Sequence, residues 1–125
     1  MRNLKELYAE FLEMGAVYSQ REFSRLWGME PSWFSSTTSR GREPGIYPLC
    51  MFRIQIDRIK ADTEIALSET DNEDEAEALT EGLEELKIIR DEMEKAILEK
   101  AMMRFSFLEN KTIPNPVQAS AERTR

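Results

Sequence analysis

Leu4, Leu7, Tyr8, Phe11 and Leu12 recur at steps of three and four, the spacing of one buried helical face, and Gly15 follows as a C-cap. The spacing predicts a first helix over about Leu4 to Met14. Ser19 precedes Gln20-Arg21-Glu22, an N-cap with a carboxylate three residues on, which answers backbone N–H groups that a first helical turn leaves open. A second, short helix is predicted there, carrying Phe23, Leu26 and Trp27 and stopping at Gly28. Pro31 suits the opening of a third helix, Trp33 to Arg40, with one face rich in Ser and Thr.

The stretch Gly41-Arg42-Glu43-Pro44-Gly45 reads as a loop, and Pro48 fits the first turn of a fourth helix from about Tyr47 to Leu67. Leu49, Phe52, Ile56, Ile59, Thr63 and Ala66 alternate steps of three and four along it, at once a core-facing stripe and a heptad seam, so a partner helix is implied. Ser68 to Asp74 is polar and acidic and predicts a turn, with Asn72 or Asp74 able to cap a fifth helix. Leu79, Leu83, Leu86, Ile89, Met93 and Ile97 mark that helix, which continues to about Met103 or Phe107 and is on the order of 45 Å long. The expectation is an all-α protein: a head over residues 1–60, an acidic arm over 61–108 built as an antiparallel helical hairpin, and a disordered tail over 109–125.

Composition narrows the chemistry. The chain has no histidine, which removes Ser-His-Asp and Cys-His catalysis and histidine metal sites. Cys50 is the only cysteine, so neither an internal disulfide nor a cysteine-based zinc site can form. The acidic run Asp71, Glu73, Asp74, Glu75 and Glu77 lacks the alternating oxygen ligands and central glycine of an EF-hand loop and reads as a solvated helix start. No apolar run approaches the roughly 20 residues that cross a bilayer, and the first residues lead into charge rather than a signal-peptide core. A cytoplasmic protein without enzymatic activity, metal or cofactor is expected. The net charge of −7 conceals an asymmetry: residues 1–60 hold nine Lys/Arg against seven Asp/Glu, residues 61–125 eight against seventeen. The first half is the candidate for a polyanionic partner.

The informative segment is Gln20 to Ser39, QREFSRLWGMEPSWFSSTTS. Where two short helices cross steeply, a small residue must face the crossing, a glycine must permit the turn, and apolar residues must fill fixed positions on both helices. Counting from Gln20, Ser24 is the small fifth residue, Gly28 is the ninth, and Phe23, Trp27, Met29 and Phe34 fall at the fourth, eighth, tenth and fifteenth positions. The segment resembles the helix-turn-helix superfamily of phage-repressor-like DNA-binding proteins, with Ser24 where alanine is usual. The resemblance implies a third helix in the major groove, Ser32, Trp33, Ser35, Ser36 and Ser39 facing DNA, and phosphate contacts from Arg21, Arg25, Arg40 and Arg42. Ser19 and Gln20 would bring backbone N–H groups to a phosphate. Trp33 also fits a core or subunit-interface position, and Arg40 and Arg42 also read as solvated loop residues.

The apolar stripe of the fifth helix exceeds what one hairpin and a small head can cover, so a homodimer is expected through Leu86, Ile89, Met93, Ile97, Met102 and Phe105. The function implied is a dimeric, DNA-binding transcriptional regulator, nucleoid-associated when bound. The alternative is a non-enzymatic protein-interaction module that keeps the helix-turn-helix shape and uses its acidic arm on a partner protein.

Overall fold

The structure is a computed structural model and describes residues 1–109. Five helices occur in the order α1 (Leu4–Glu13), α2 (Gln20–Leu26), α3 (Trp33–Ser39), α4 (Ile46–Glu69) and α5 (Glu73–Glu109). The all-α class and the number of helices agree with the periodicity. The expected tail begins one residue inside α5, since Glu109 is still helical, and its remainder at 110–125 lies outside the described residues.

Local chemistry sets the boundaries. The Asn3 side chain accepts from the Glu6 N–H at 2.8 Å and opens α1. Ser19 Oγ accepts from the Glu22 N–H at 3.2 Å and opens α2. The hairpin turn is tighter than its polar composition suggested. Ser68 stays helical, its hydroxyl donating back to the Ile65 carbonyl at 2.7 Å, and Asn72 Oδ1 accepts from the Glu75 N–H at 3.1 Å at the head of α5. Carboxylates at Glu73, Asp74 and Glu75 complement the helix dipole there. With 37 residues, α5 extends about 55 Å, longer than the apolar stripe alone indicated.

The core is aromatic at its centre. Phe11, Phe23, Trp27, Phe34 and Phe52 are buried, and Trp27 stacks on Phe52 with ring centroids 4.0 Å apart and planes within 5°. Phe23 touches Phe11, Phe34 and Phe52 edge-on, the geometry that aromatic quadrupoles favour. The same cluster continues without a break into Leu86, Ile89 and Met93 of α5. This corrects two expectations. The head does not end at residue 60, because the returning helix α5 forms one of its walls. Leu86, Ile89 and Met93 cannot be a seam between chains, since their side chains are enclosed within a single chain, and Ile97 is half-buried against the same cluster. The physical reason is that three short helices and one face of α4 leave the aromatic cluster open on one side, and the α5 stripe closes it.

Ion pairs fasten the same junction. Arg2 pairs with Glu10 of α1 and with Glu85 and Glu92 of α5, the last at 3.3 Å. Partial burial works against its charge, but hydrogen bonds to Glu85 and Glu10 and the field of Glu92 outweigh it and hold the guanidinium above its ordinary pKa. Across the hairpin, Arg90 binds Asp57 at 2.7 Å and Arg53 pairs with Glu94.

Candidate nucleic-acid interface

The unit formed by α2 and α3 is built around two residues. Gly28 lies at φ +70°, in the left-handed region, and closes α2 directly after its C-cap Trp27. A Cβ at Gly28 would sit 2.9 Å from Met51 Cγ on α4, so the turn needs glycine for its backbone angle and for its clearance. Ser24 is fully buried at the crossing, and its Oγ accepts the Phe34 N–H at 3.0 Å. That N–H is one of the open donors in the first turn of α3, whose own N-cap residue Ser32 makes no side-chain cap. One helix therefore caps the other. Composition counted Ser24 only as a small residue; the polar role was legible in the choice of serine over alanine, but only with Phe34 opposite it.

On α3, Phe34 and Thr37 face the core, while Ser32, Ser35 and Ser39 are exposed and Ser36 is half-buried at the edge. Trp33 is half-buried, its ring 5.4 Å from that of Trp27, so its indole serves as packing. Three of the hydroxyls are engaged with their own helix. Ser35 Oγ donates to the Ser32 carbonyl at 3.1 Å, Thr38 Oγ1 to Phe34 at 2.8 Å and Ser39 Oγ to Ser36 at 3.0 Å. A hydroxyl that donates inward offers only lone pairs outward. Phosphate oxygens also only accept, so Ser35 and Ser39 in this geometry suit a donor such as a base amino group better than a phosphate.

Around this face Arg21 and Arg25 of α2, Arg40 at the C-cap of α3 and Arg42 in the following loop are exposed. None of the four has an ion-pair partner among the described residues, in contrast to Arg2, Arg53 and Arg90, which are held by carboxylates of α1, α4 and α5. Ser19 is half-buried with its hydroxyl spent on the α2 cap, and Gln20 is exposed beside it.

Glu22, Glu30 and Glu43 are exposed beside this face, but the acidic run of the hairpin tip stands away from it. α4 starts immediately after the α3–α4 loop and runs 24 residues, about 36 Å, before the acidic turn and the first carboxylates of α5. At physiological salt the Debye length is about 8 Å, so the hairpin tip exerts little repulsion at Arg40 and Arg42. A groove of about 760 Å³ between the end of α1 and the hairpin carries Glu10, Glu13, Glu81 and Glu85 on its rim, the wrong sign for a polyanion. Among the described residues no group of three or more Asp, Glu, His or Cys is arranged to hold a metal ion, and no helix is long and apolar enough to cross a membrane.

A family model described as "Family of unknown function (DUF6626)" matches residues 4–110. No curated protein and no solved structure matches the chain significantly.

Proposed function

The chain belongs to the family of unknown function DUF6626, and we propose that it is a DNA-binding protein that docks the α2–α3 unit on a duplex and acts as a transcriptional regulator in the cytoplasm. The observation that carries this reading is the set of four exposed guanidinium groups, Arg21, Arg25, Arg40 and Arg42, that frame α3 without carboxylate partners among the described residues. Arginine left unpaired in so acidic a chain is available to phosphate, with which it pairs in bidentate fashion and from which it displaces condensed cations. The locked crossing of α2 and α3 at Ser24 and Gly28 holds the two pairs of arginines in fixed relation.

In this arrangement the arginines supply most of the affinity, and the outward lone pairs of Ser35 and Ser39 accept from exocyclic amino groups of adenine or cytosine in the major groove. Single hydroxyl contacts discriminate weakly, so sequence preference rests substantially on duplex shape. A second reading, docking of a basic protein partner, is favoured by the exposed carboxylates Glu73, Asp74, Glu75, Glu77, Glu81 and Glu84 along the first turns of α5. The experiment that separates the two is recovery of fragmented genomic DNA on the purified full chain, beside an Arg40→Ala/Arg42→Ala variant. Selective recovery that the variant loses supports the DNA reading. Failure of both proteins to retain any fragment at low salt would turn the search to a protein partner.

A further inference from the structure

The last turns of α5 leave the fold behind. Residues 101–109 are all exposed, an extension of about 13 Å beyond the part of the helix that closes the core. Leu98, Ala101, Met102, Phe105 and Leu108 succeed one another along the helix within steps of one to four residues and share one face of it. Leu98 is 59 %, Met102 68 %, Phe105 58 % and Leu108 43 % exposed, a run of large apolar side chains outside the core cluster. Before Leu98 the same face is polar, with Asp91, Glu94 and Lys95, so the apolar strip begins at Leu98 and runs into the overhang.

We infer that this strip is the contact between two copies of the chain, in place of the buried residues Leu86, Ile89 and Met93. Charge argues for a second copy. Over residues 73–94 α5 holds ten acidic and two basic residues, whereas over 95–109 it holds two acidic and three basic. The overhang is therefore the one part of α5 where two copies meet without strong repulsion, and its near-neutral, apolar character offers little to a highly charged partner. Area agrees. Four large side chains a little over half exposed present roughly 500 Å² of apolar surface, so twofold pairing removes about 1,000 Å² in total, the size at which specific interfaces separate from chance contacts. A twofold contact uses the same strip on both chains and closes upon itself.

The overhang leaves the fold beside the α3–α4 loop, where Lys100 approaches Glu43 at 3.5 Å. Pairing there brings the Arg40 and Arg42 ends of two α3 helices toward one axis. On the DNA-binding reading, and only on it, this contact sets the spacing of two half-sites.

The test is the mass of the full chain by light scattering and sedimentation from about 1 to 100 µM. Wild type is expected at twice the 14.6 kDa of one chain. Met102→Glu/Phe105→Glu is expected at single-chain mass with unchanged helical signal and melting temperature, because both side chains lie outside the core. A milder Phe105→Ala/Leu108→Ala variant is expected to raise the dimer dissociation constant at least tenfold, and Ile65→Glu, an equally exposed position on α4, to leave the dimer intact. Single-chain mass for wild type throughout, a dimer that survives Met102→Glu/Phe105→Glu, or dissociation by Ile65→Glu overturns the inference. A monomer that still binds DNA removes only this inference, and a dimer that binds no DNA removes only the functional reading.

Discussion

Replacing Gly28 by alanine tests the α2–α3 lock at its tightest point, and two other glycines provide the controls. Gly15, Gly28 and Gly41 all have positive φ, at 72°, 70° and 62°. A side-chain-bearing residue there costs about 1–2 kcal/mol, offset in part by the roughly 0.4–1 kcal/mol that alanine removes from unfolded-chain entropy. At Gly15 and Gly41 an added Cβ meets nothing within 4 Å, so Gly15→Ala and Gly41→Ala carry the backbone cost alone, a net of about 1 kcal/mol. At Gly28 the new methyl lies 2.9 Å from Met51 Cγ and 3.2 Å from Met51 Cβ. Those atoms are near the α4 backbone and cannot swing aside as a side-chain end does, which adds the roughly 1–3 kcal/mol typical of overpacking. Gly28→Ala should therefore cost about 2–4 kcal/mol, a fall of about 1–2 M in the urea midpoint, against about half a molar for the controls. Met51→Ala in the Gly28→Ala background should recover part of the excess, because it removes Cγ, the nearer atom, and leaves only the Cβ contact at 3.2 Å. Equal midpoints for Gly28→Ala and Gly15→Ala would refute the argument that contact with α4 fixes this turn.

The same geometry sets other outcomes. Ser24→Ala should destabilise the fold by about 1–3 kcal/mol in urea unfolding, since it strands the buried Phe34 N–H, although the new side chain is smaller. Met93→Ala should cost about 2–5 kcal/mol by the same assay, while Met102→Ala changes monomer stability by less than about 0.5 kcal/mol. Amide exchange should be faster over residues 60–82 than over 48–58 and 86–97, because no residue of the distal hairpin up to Gly82 is buried.

The fold was largely legible because its helices carry strong local signals: the Ser19 cap, the Gly28 stop and the aliphatic steps of α4 and α5 all hold in the structure. What the sequence could not separate was which apolar positions of α5 meet this chain and which meet another. Met93 and Met102 look alike in a periodic pattern; only the position of the aromatic cluster on α4 decides that the first is enclosed and the second is not. Trp33 shows the same limit, since its lean on Trp27 depends on the crossing of two helices rather than on either one. The arginines of the candidate site were visible as residue types. Their freedom from carboxylates was not, because Arg2, Arg53 and Arg90 find their partners across long separations in the chain.

The most direct measurement is the salt dependence of binding to duplex DNA by fluorescence anisotropy, for wild type, for Arg21→Ala/Arg25→Ala/Arg40→Ala/Arg42→Ala, and for Arg58→Ala on the exposed face of α4. If the four guanidinium groups sit on phosphates, the slope of log K against log salt becomes shallower by up to about 3.6 in the fourfold variant, near 0.9 for each phosphate no longer neutralised. Arg58→Ala leaves it unchanged. A slope that the fourfold variant and wild type share, or no binding by wild type at low salt, would contradict the account.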